Sequence, residues 1–330
     1  MEQRKKDHID LAFESQISSL NVDRRFFYEP IMRPHLKEGL EPFDFLGKSL
    51  RIPLWVSSMT GGTQMARTIN HNLARACAEF GMGMGLGSCR IILDDDAHFL
   101  DFDVREVMGD HLPFYANLGI AQMEELVASG TLEKVARMVD KLRADGLIIH
   151  VNPMQESLQP EGDVFQVAAL ETITAVMDKL DMPIIVKAVG QGIGPDSLRH
   201  LLKLPLAAIE FGAFGGTNFA KLELLRGDPL KNELMEPLSR IGHDAYQMTE
   251  FINQITLEEG PPECKHIIVL GGIKSFLDGY YLINKINVPA IYGQASSFLK
   301  YAKEDYDALK KFVQYQVKGL EIASAFLTVR

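Results

Sequence analysis

The stretch Gly146–Asn152, "GLIIHVN", decides the fold. Leu147, Ile148, Ile149 and Val151 make it a short apolar run that reads as a strand buried on both faces, and its polar residues, His150 and Asn152, fall at its end. Side chains alternate along a strand, so His150 and Asn152 share a face with Ile148, while Ile149 and Val151 share the other. The run then opens into the polar stretch "PMQESLQPEGD". A buried strand that ends in chemistry-bearing residues is the unit from which an α/β site is built.

Seven further runs have the same grammar: "RIPLWVSSMTGG" at 51–62, "GMGMGLGSCR" at 81–90, "PFYANLG" at 113–119, "PIIVKAVG" at 183–190, "AAIEFGAFGG" at 207–216, "HIIVLGG" at 266–272 and "PAIYGQAS" at 289–296. Helical periodicity separates them, as in "MEELVASGTLEKVARMVDKLRA" and "VFQVAALETITAVMDKL". Eight strands alternating with helices predict a (β/α)8 TIM barrel, with reactive groups in the loops at the strand C-termini. A doubly wound open sheet is the competitor. It gathers its ligand groups at one switch point, whereas here polar or glycine residues follow nearly every strand. Residues 1–42 read as an N-terminal extension with an amphipathic helix (Ile9, Phe13, Ile17, Leu20), and residues 43–330 as the single barrel domain. The segment Thr217–Glu263 is too long for a plain connection and reads as a lid.

The chain has 330 residues, 46% hydrophobic and 24% charged, which suits an ordinary globular protein. No run approaches the roughly 20 apolar residues of a membrane span, and no apolar signal region follows "MEQRKKDHID", so a cytoplasmic protein is expected. A net charge of −10 argues against nucleic-acid partners. Cys77, Cys89 and Cys264 form no CxxC pair, which leaves neither a disulfide framework nor a thiolate metal site.

Three features carry chemistry. His150 and Asn152, followed by Gln155 and Glu156, point toward the barrel mouth, although a turn at Asn152-Pro153 with solvated carboxylates is the plain alternative. Lys187 ends a buried strand and needs solvent or an electron-rich partner. Gly271-Gly272 after the seventh strand, with Gly293-Gln294-Ala295 after the eighth, makes the pair of loops that cradles a phosphate in such barrels. Cradle, lysine and polar cluster together leave room for a phosphorylated cofactor and a second ligand. Composition does not separate flavin mononucleotide from a phosphorylated substrate.

Taken in order, "RKKDHI", "SSMTGG", "GLGSCR", "ANLG", "HVNPMQESLQPEGD", "KAVGQG", "GGTNF", "GGIK" and "GLEIASAFLTV" resemble the flavin-dependent type 2 isopentenyl-diphosphate isomerase family over nearly the whole chain. The resemblance implies FMN contacts at Ser58, Met59, Thr60, Ser88, Asn117, Lys187 and Thr217, with the flavin phosphate on Gly271, Gly272, Gln294 and Ala295. It implies substrate binding by Arg4, Lys5, His8, Ser88, Arg90, His150, Asn152 and Gln155, a Mg2+ ligand at Glu156, and catalytic roles for Gln155 and Lys187. The implied reaction converts isopentenyl diphosphate to dimethylallyl diphosphate on reduced FMN, with NAD(P)H as reductant, in a homotetramer or homo-octamer.

The chain departs from the family at Cys89 (usually Gln), Ala188 (Glu), Glu210–Ala213 (Asp-Val-Ser-Gly), Phe276 (Gly) and Ser296 (a larger or basic residue). Two other readings fit the cradle and lysine: an FMN-dependent α-hydroxy-acid oxidase-like enzyme and a non-catalytic flavin-binding protein. The oxidase reading lacks a His-Gly-x-Arg-like arrangement after the seventh strand.

Overall fold

The computed structural model describes residues 2–37, 39–58, 60–61 and 63–330, with every side chain among them but that of Gln64. Eight parallel strands close into a barrel: β1 Leu54–Val56, β2 Gly83–Gly85, β3 Phe114–Gly119, β4 Gly146–Val151, β5 Ile184–Ala188, β6 Ala208–Glu210, β7 Ile267–Val269 and β8 Ala290–Gln294. Each strand pairs with the next, and β8 returns to β1 with Tyr292 opposite Leu54. All eight strands expected from the sequence are present, in that order, and the fold is a (β/α)8 barrel. Strands β1 to β3 are buried throughout, because helices cover one face and the barrel interior the other.

The interior is filled by size complementarity. Trp55 is fully buried, and its indole occupies space left by Gly83, where an added Cβ would lie 2.3 Å from the ring. A Cβ on Gly85 would lie 2.5 Å from Ile148 Cδ1, so Ile148 points inward. By alternation, so does His150.

Below β1, the strands Phe43–Phe45 and Lys48–Leu50 form a hairpin whose turn residues, Leu46 and Gly47, both have positive φ, as a two-residue turn of that hand requires. Phe45 is buried, its ring 4.6 Å from that of His266. A second antiparallel pair joins Phe26–Tyr28 to Leu327–Val329 and clasps the two ends of the chain together.

One expectation changes and another gains detail. The apolar spacing of Ile9, Phe13, Ile17 and Leu20 predicts one amphipathic helix, but the helix is Glu2–Asp10, it buries no residue, and those four side chains are 73% to 88% exposed. An apolar stripe with no surface to cover does not sustain a helix of that length. The segment Thr217–Glu263, read as a lid, is largely helical. It forms helices Phe219–Arg226 and Pro229–Met235, a 3-10 turn Glu236–Arg240, and the long helix Ala245–Glu259, whose start is fixed by an Asp244–Gln247 capping box. No helix among the described residues is long and apolar enough to cross a membrane.

Candidate functional site

A polar layer crosses the top of the barrel. In the parallel registers, His150 on β4 lies opposite Lys187 on β5, and Lys187 opposite Glu210 on β6. Paired residues of parallel strands project to the same side, so all three enter the interior with His150. His150 Nδ1 lies 2.8 Å from Asn117 Oδ1 on β3, and Asn117 Nδ2 donates to Ser58 Oγ at 2.8 Å and to the Leu86 carbonyl at 3.0 Å. On the other flank, the Ser57 hydroxyl donates to Glu210 Oε1. The consecutive residues Ser57 and Ser58 thus end both arms of the layer.

Burial sets its electrostatics. Desolvation, and then the nearby charge of Lys187, push His150 down to about 3, so its imidazole is neutral at physiological pH. Burial pushes the Glu210 carboxyl above its ordinary range, while Lys187 and the Ser57 hydroxyl pull it back. Cys89 is buried and burial pushes its thiol up to about 12, which makes it an inert filler at a position where the resemblance leads one to expect a polar amide.

Above this layer lies a cavity of about 370 Å³, a volume within the range of small-molecule sites. Lys187 and Ser58 stand at one side and Thr217, Gly271, Gly272, Gln294 and Ala295 line the remainder, so these seven expected cofactor contacts share one hollow. The glycine loops meet backbone to backbone. A Cβ on Gly271, whose φ is +103°, would lie 2.2 Å from the Ala213 carbonyl, and one on Gly215 would lie 3.1 Å from Gly272 Cα. A phosphate approaching here meets peptide groups instead of side chains.

Gln294 is the exception to a simple cradle. Its amide donates to the Ile273 carbonyl at 3.1 Å and accepts from Gln316 Nε2 at 2.9 Å, and its backbone carbonyl accepts from the Ser57 N–H at 3.1 Å, so Gln294 is held in the wall of the hollow. Gly212, where the resemblance leads one to expect Ser, has a φ of +48°, and a Cβ there would lie 1.9 Å from the Ala188 carbonyl. The missing hydroxyl is therefore part of a backbone that excludes any side chain at this position.

The second group of residues rises from the end of β4. Pro153 starts the helix Pro153–Leu158, which carries Gln155 and Glu156. Asn152 Nδ2 donates to Glu156 Oε1 at 2.7 Å and to Gln155 Oε1 at 3.2 Å. Glu156 Oε2 accepts from Gln159 Nε2 and from the Asp163 backbone N–H, the latter at 3.0 Å, so this carboxylate ties down its own loop. Asn152 Oδ1 is buried with no partner among the described residues. Gln155 Nε2 donates to Glu223 Oε1 at 3.2 Å.

Glu223 is 2% exposed and also pairs with Arg226, which reaches Glu161 at 3.0 Å. It is the site residue that sequence reading missed. The signal was an acid between Leu222 and Leu224 in "NFAKLELL", inside the segment read as a lid. Its helix, Phe219–Arg226, also presents Phe219 and Leu222 to the cavity, which joins the Gln155 cluster to the glycine-lined hollow.

The remaining expected residues divide. Asn117 is buried beneath the cavity as described. The Thr60 backbone passes close to Gly87, leaving no room there for a Cβ. Ser88 and Arg90 are exposed, with Arg90 Nη1 3.4 Å from Asp163 Oδ2. Met59 lies outside the described residues. Arg4, Lys5 and His8 are exposed on the N-terminal helix and make no bond to the barrel among the described residues. No cluster of three or more His, Cys, Asp or Glu among the described residues suits a metal.

No family model matches the chain. The isopentenyl-diphosphate delta-isomerase of Rickettsia africae (strain ESF-5) is 32% identical over 326 residues, covering 97% of this chain and 92% of that protein. The enzyme of the same name from Synechococcus sp. (strain ATCC 27144 / PCC 6301 / SAUG 1402/1) is 33% identical over 328 residues, covering 97% and 90%. Among solved structures, a mutant flavocytochrome b2 with pyruvate bound superposes with a TM-score of 0.62 at 12% identity, covering 91% of this chain and 71% of that one. A mandelate oxidase mutant with a monooxide FMN adduct gives 0.57 at 13%, covering 91% and 83%. Likeness at that level of identity speaks for the shared barrel alone.

Proposed function

This chain belongs to the isopentenyl-diphosphate delta-isomerase family, and on that premise we propose that it converts isopentenyl diphosphate to dimethylallyl diphosphate with reduced FMN and Mg2+. The observation that carries the proposal is the joining of two subsites: a glycine-walled hollow with Lys187 at its side, and the Asn152–Gln155–Glu156–Glu223 cluster bonded to the helix that lines it.

The hollow fits FMN. Close-packed glycine backbones suit a phosphate, and Lys187 places its ammonium beside the space for a ring edge. The metal fits on narrower terms. Among the described residues Glu156 belongs to no group of three or more ligand side chains, so a hydrated Mg2+ would be held there only if diphosphate oxygens complete its shell, which is how Mg2+ is commonly shared with phosphates.

Bound reduced FMN supplies an electron-rich ring and an exchangeable proton. The chain does the rest. Protonation of the terminal alkene carbon makes the neighbouring tertiary carbon electron-deficient, and loss of a methylene proton completes the shift without net redox change. Neutral His150 and Asn152, with Arg90 and the exposed Arg4, Lys5 and His8 of the N-terminal helix, bind the diphosphate. Gln155 orients the alkene, its amide fixed by Glu223 and Asn152. Glu223, itself buried, accepts from that amide, while Arg226 balances its charge.

Purified protein reduced with NAD(P)H or dithionite is expected to isomerise isopentenyl diphosphate only when FMN and Mg2+ are both present. Full turnover by flavin-free protein defeats the proposal. The oxidase reading has only the barrel in its favour, and it would require a 2-hydroxy acid to bleach the bound flavin.

A further inference from the structure

Glu210 is the one buried acid of the polar layer that the reaction outlined above does not use. It is fully buried. One carboxylate oxygen accepts from Ser57, and the other, Oε2, has no partner among the described residues. Glu210 is opposite Lys187 in the β5–β6 register and opposite Ile268 in the β6–β7 register, so its neighbours are a cation on one side and an apolar side chain on the other. Lys187 is the charged group that acts on it among the described residues. His150 flanks Lys187 on the far side and is neutral.

A purely structural acid is a poor design here. A buried carboxyl oxygen without a partner carries a desolvation cost, and a glutamine would keep the Ser57 bond without the charge. What a carboxyl adds is a charge that adjusts to whatever Lys187 faces. We propose that Glu210 is the proton-accepting counter-charge of Lys187: it is ionised when the cavity holds a neutral ring and protonated when the cavity holds an anionic one. This rests on the FMN reading of the cavity.

The charges balance. With an oxidised, neutral ring, Lys187 and Glu210 sum to zero. When a two-electron donor such as dithionite reduces the holoprotein, one proton accompanies the electrons to the ring, which is left with a single negative charge beside Lys187. Glu210 Oε2 takes a second proton, and the layer again sums to zero. Two electrons thus enter with two protons, one of which resides on the protein. Glu210 is a positioning residue in this scheme, since it acts through Lys187 and does not touch substrate.

The test is the pH dependence of the midpoint potential of the FMN holoprotein near neutral pH, in wild type and Glu210→Gln. The wild type is expected to show the slope of two protons per two electrons, and the variant half that slope. Glu210→Gln should retain its thermal midpoint, because the Ser57 hydroxyl keeps its acceptor. A one-proton slope in the wild type overturns the inference even if no variant folds, as does a two-proton slope that persists in Glu210→Gln. A protein that takes up no FMN overturns the functional reading, and this inference falls with it. A protein that holds FMN with a one-proton slope overturns the inference alone.

Discussion

Glu156 shows how one side chain can serve two masters. Its oxygens accept from Asn152, Gln159 and the Asp163 N–H, which preorganises the loop and also commits the lone pairs a metal would share. Glu156→Gln is expected to lower Mg2+-dependent kcat/KM by about 10- to 100-fold or more, while FMN retention is unchanged. Titrating both ligands separately checks this, and equal loss of both contradicts the metal role. His150 gives a prediction in pH. Its pKa is depressed from 6.5 to about 3, chiefly by burial, so below the unfolded value the unfolded chain binds the extra proton. The neutral imidazole therefore contributes fully above that value, and its contribution is lost as pH falls from about 6 toward 3, at up to roughly 1.4 kcal/mol per pH unit. Urea unfolding of wild type and His150→Gln between these pH values should show the steeper loss in wild type.

Among elements, the strands were readable and the loop backbones were not. Apolar runs such as "LIIHV" and "PIIVK" announce buried strands through hydrophobicity alone, so His150 and Lys187 could be placed at strand ends from the sequence. Glu223 could not, because its role depends on two short helices, Pro153–Leu158 and Phe219–Arg226, packing side by side, and no local pattern encodes that contact. Gly212 is the sharper lesson. In the sequence it looks like a lost serine contact, yet its positive φ and the Ala188 carbonyl leave no room for a side chain. Gly212→Ser is therefore expected to cost about 1–3 kcal/mol and to weaken FMN retention instead of restoring it. A thermal melt with flavin release monitored by fluorescence decides the matter, and tighter binding would show that the backbone can relax.

At the scale of the molecule, the barrel stands complete without the N-terminal helix. Glu2–Asp10 buries nothing, and Ile9, Phe13, Ile17 and Leu20 are exposed in the single chain. Deleting residues 2–22 is expected to leave the thermal midpoint and FMN content unchanged while raising KM for isopentenyl diphosphate by about tenfold or more, through loss of Arg4, Lys5 and His8. An unchanged KM would remove these residues from the substrate site. Sequence could propose their role from the motif "RKKDHI", but where a terminal arm lies depends on surfaces far from it in the chain.

The clasp between Phe26–Tyr28 and Leu327–Val329 also has a history in time. On the ribosome, the first of these strands emerges roughly three hundred residues ahead of its mate, and at about 5–20 residues per second it waits some 15–60 s. The edge of β1 that β8 will cover waits almost as long. A newborn chain thus exposes two unpaired edges until translation ends, and removing residues 327–330 should reduce the yield of freshly made protein more than the stability of chains already folded. Pulse-labelling with and without an added holdase chaperone would measure that difference.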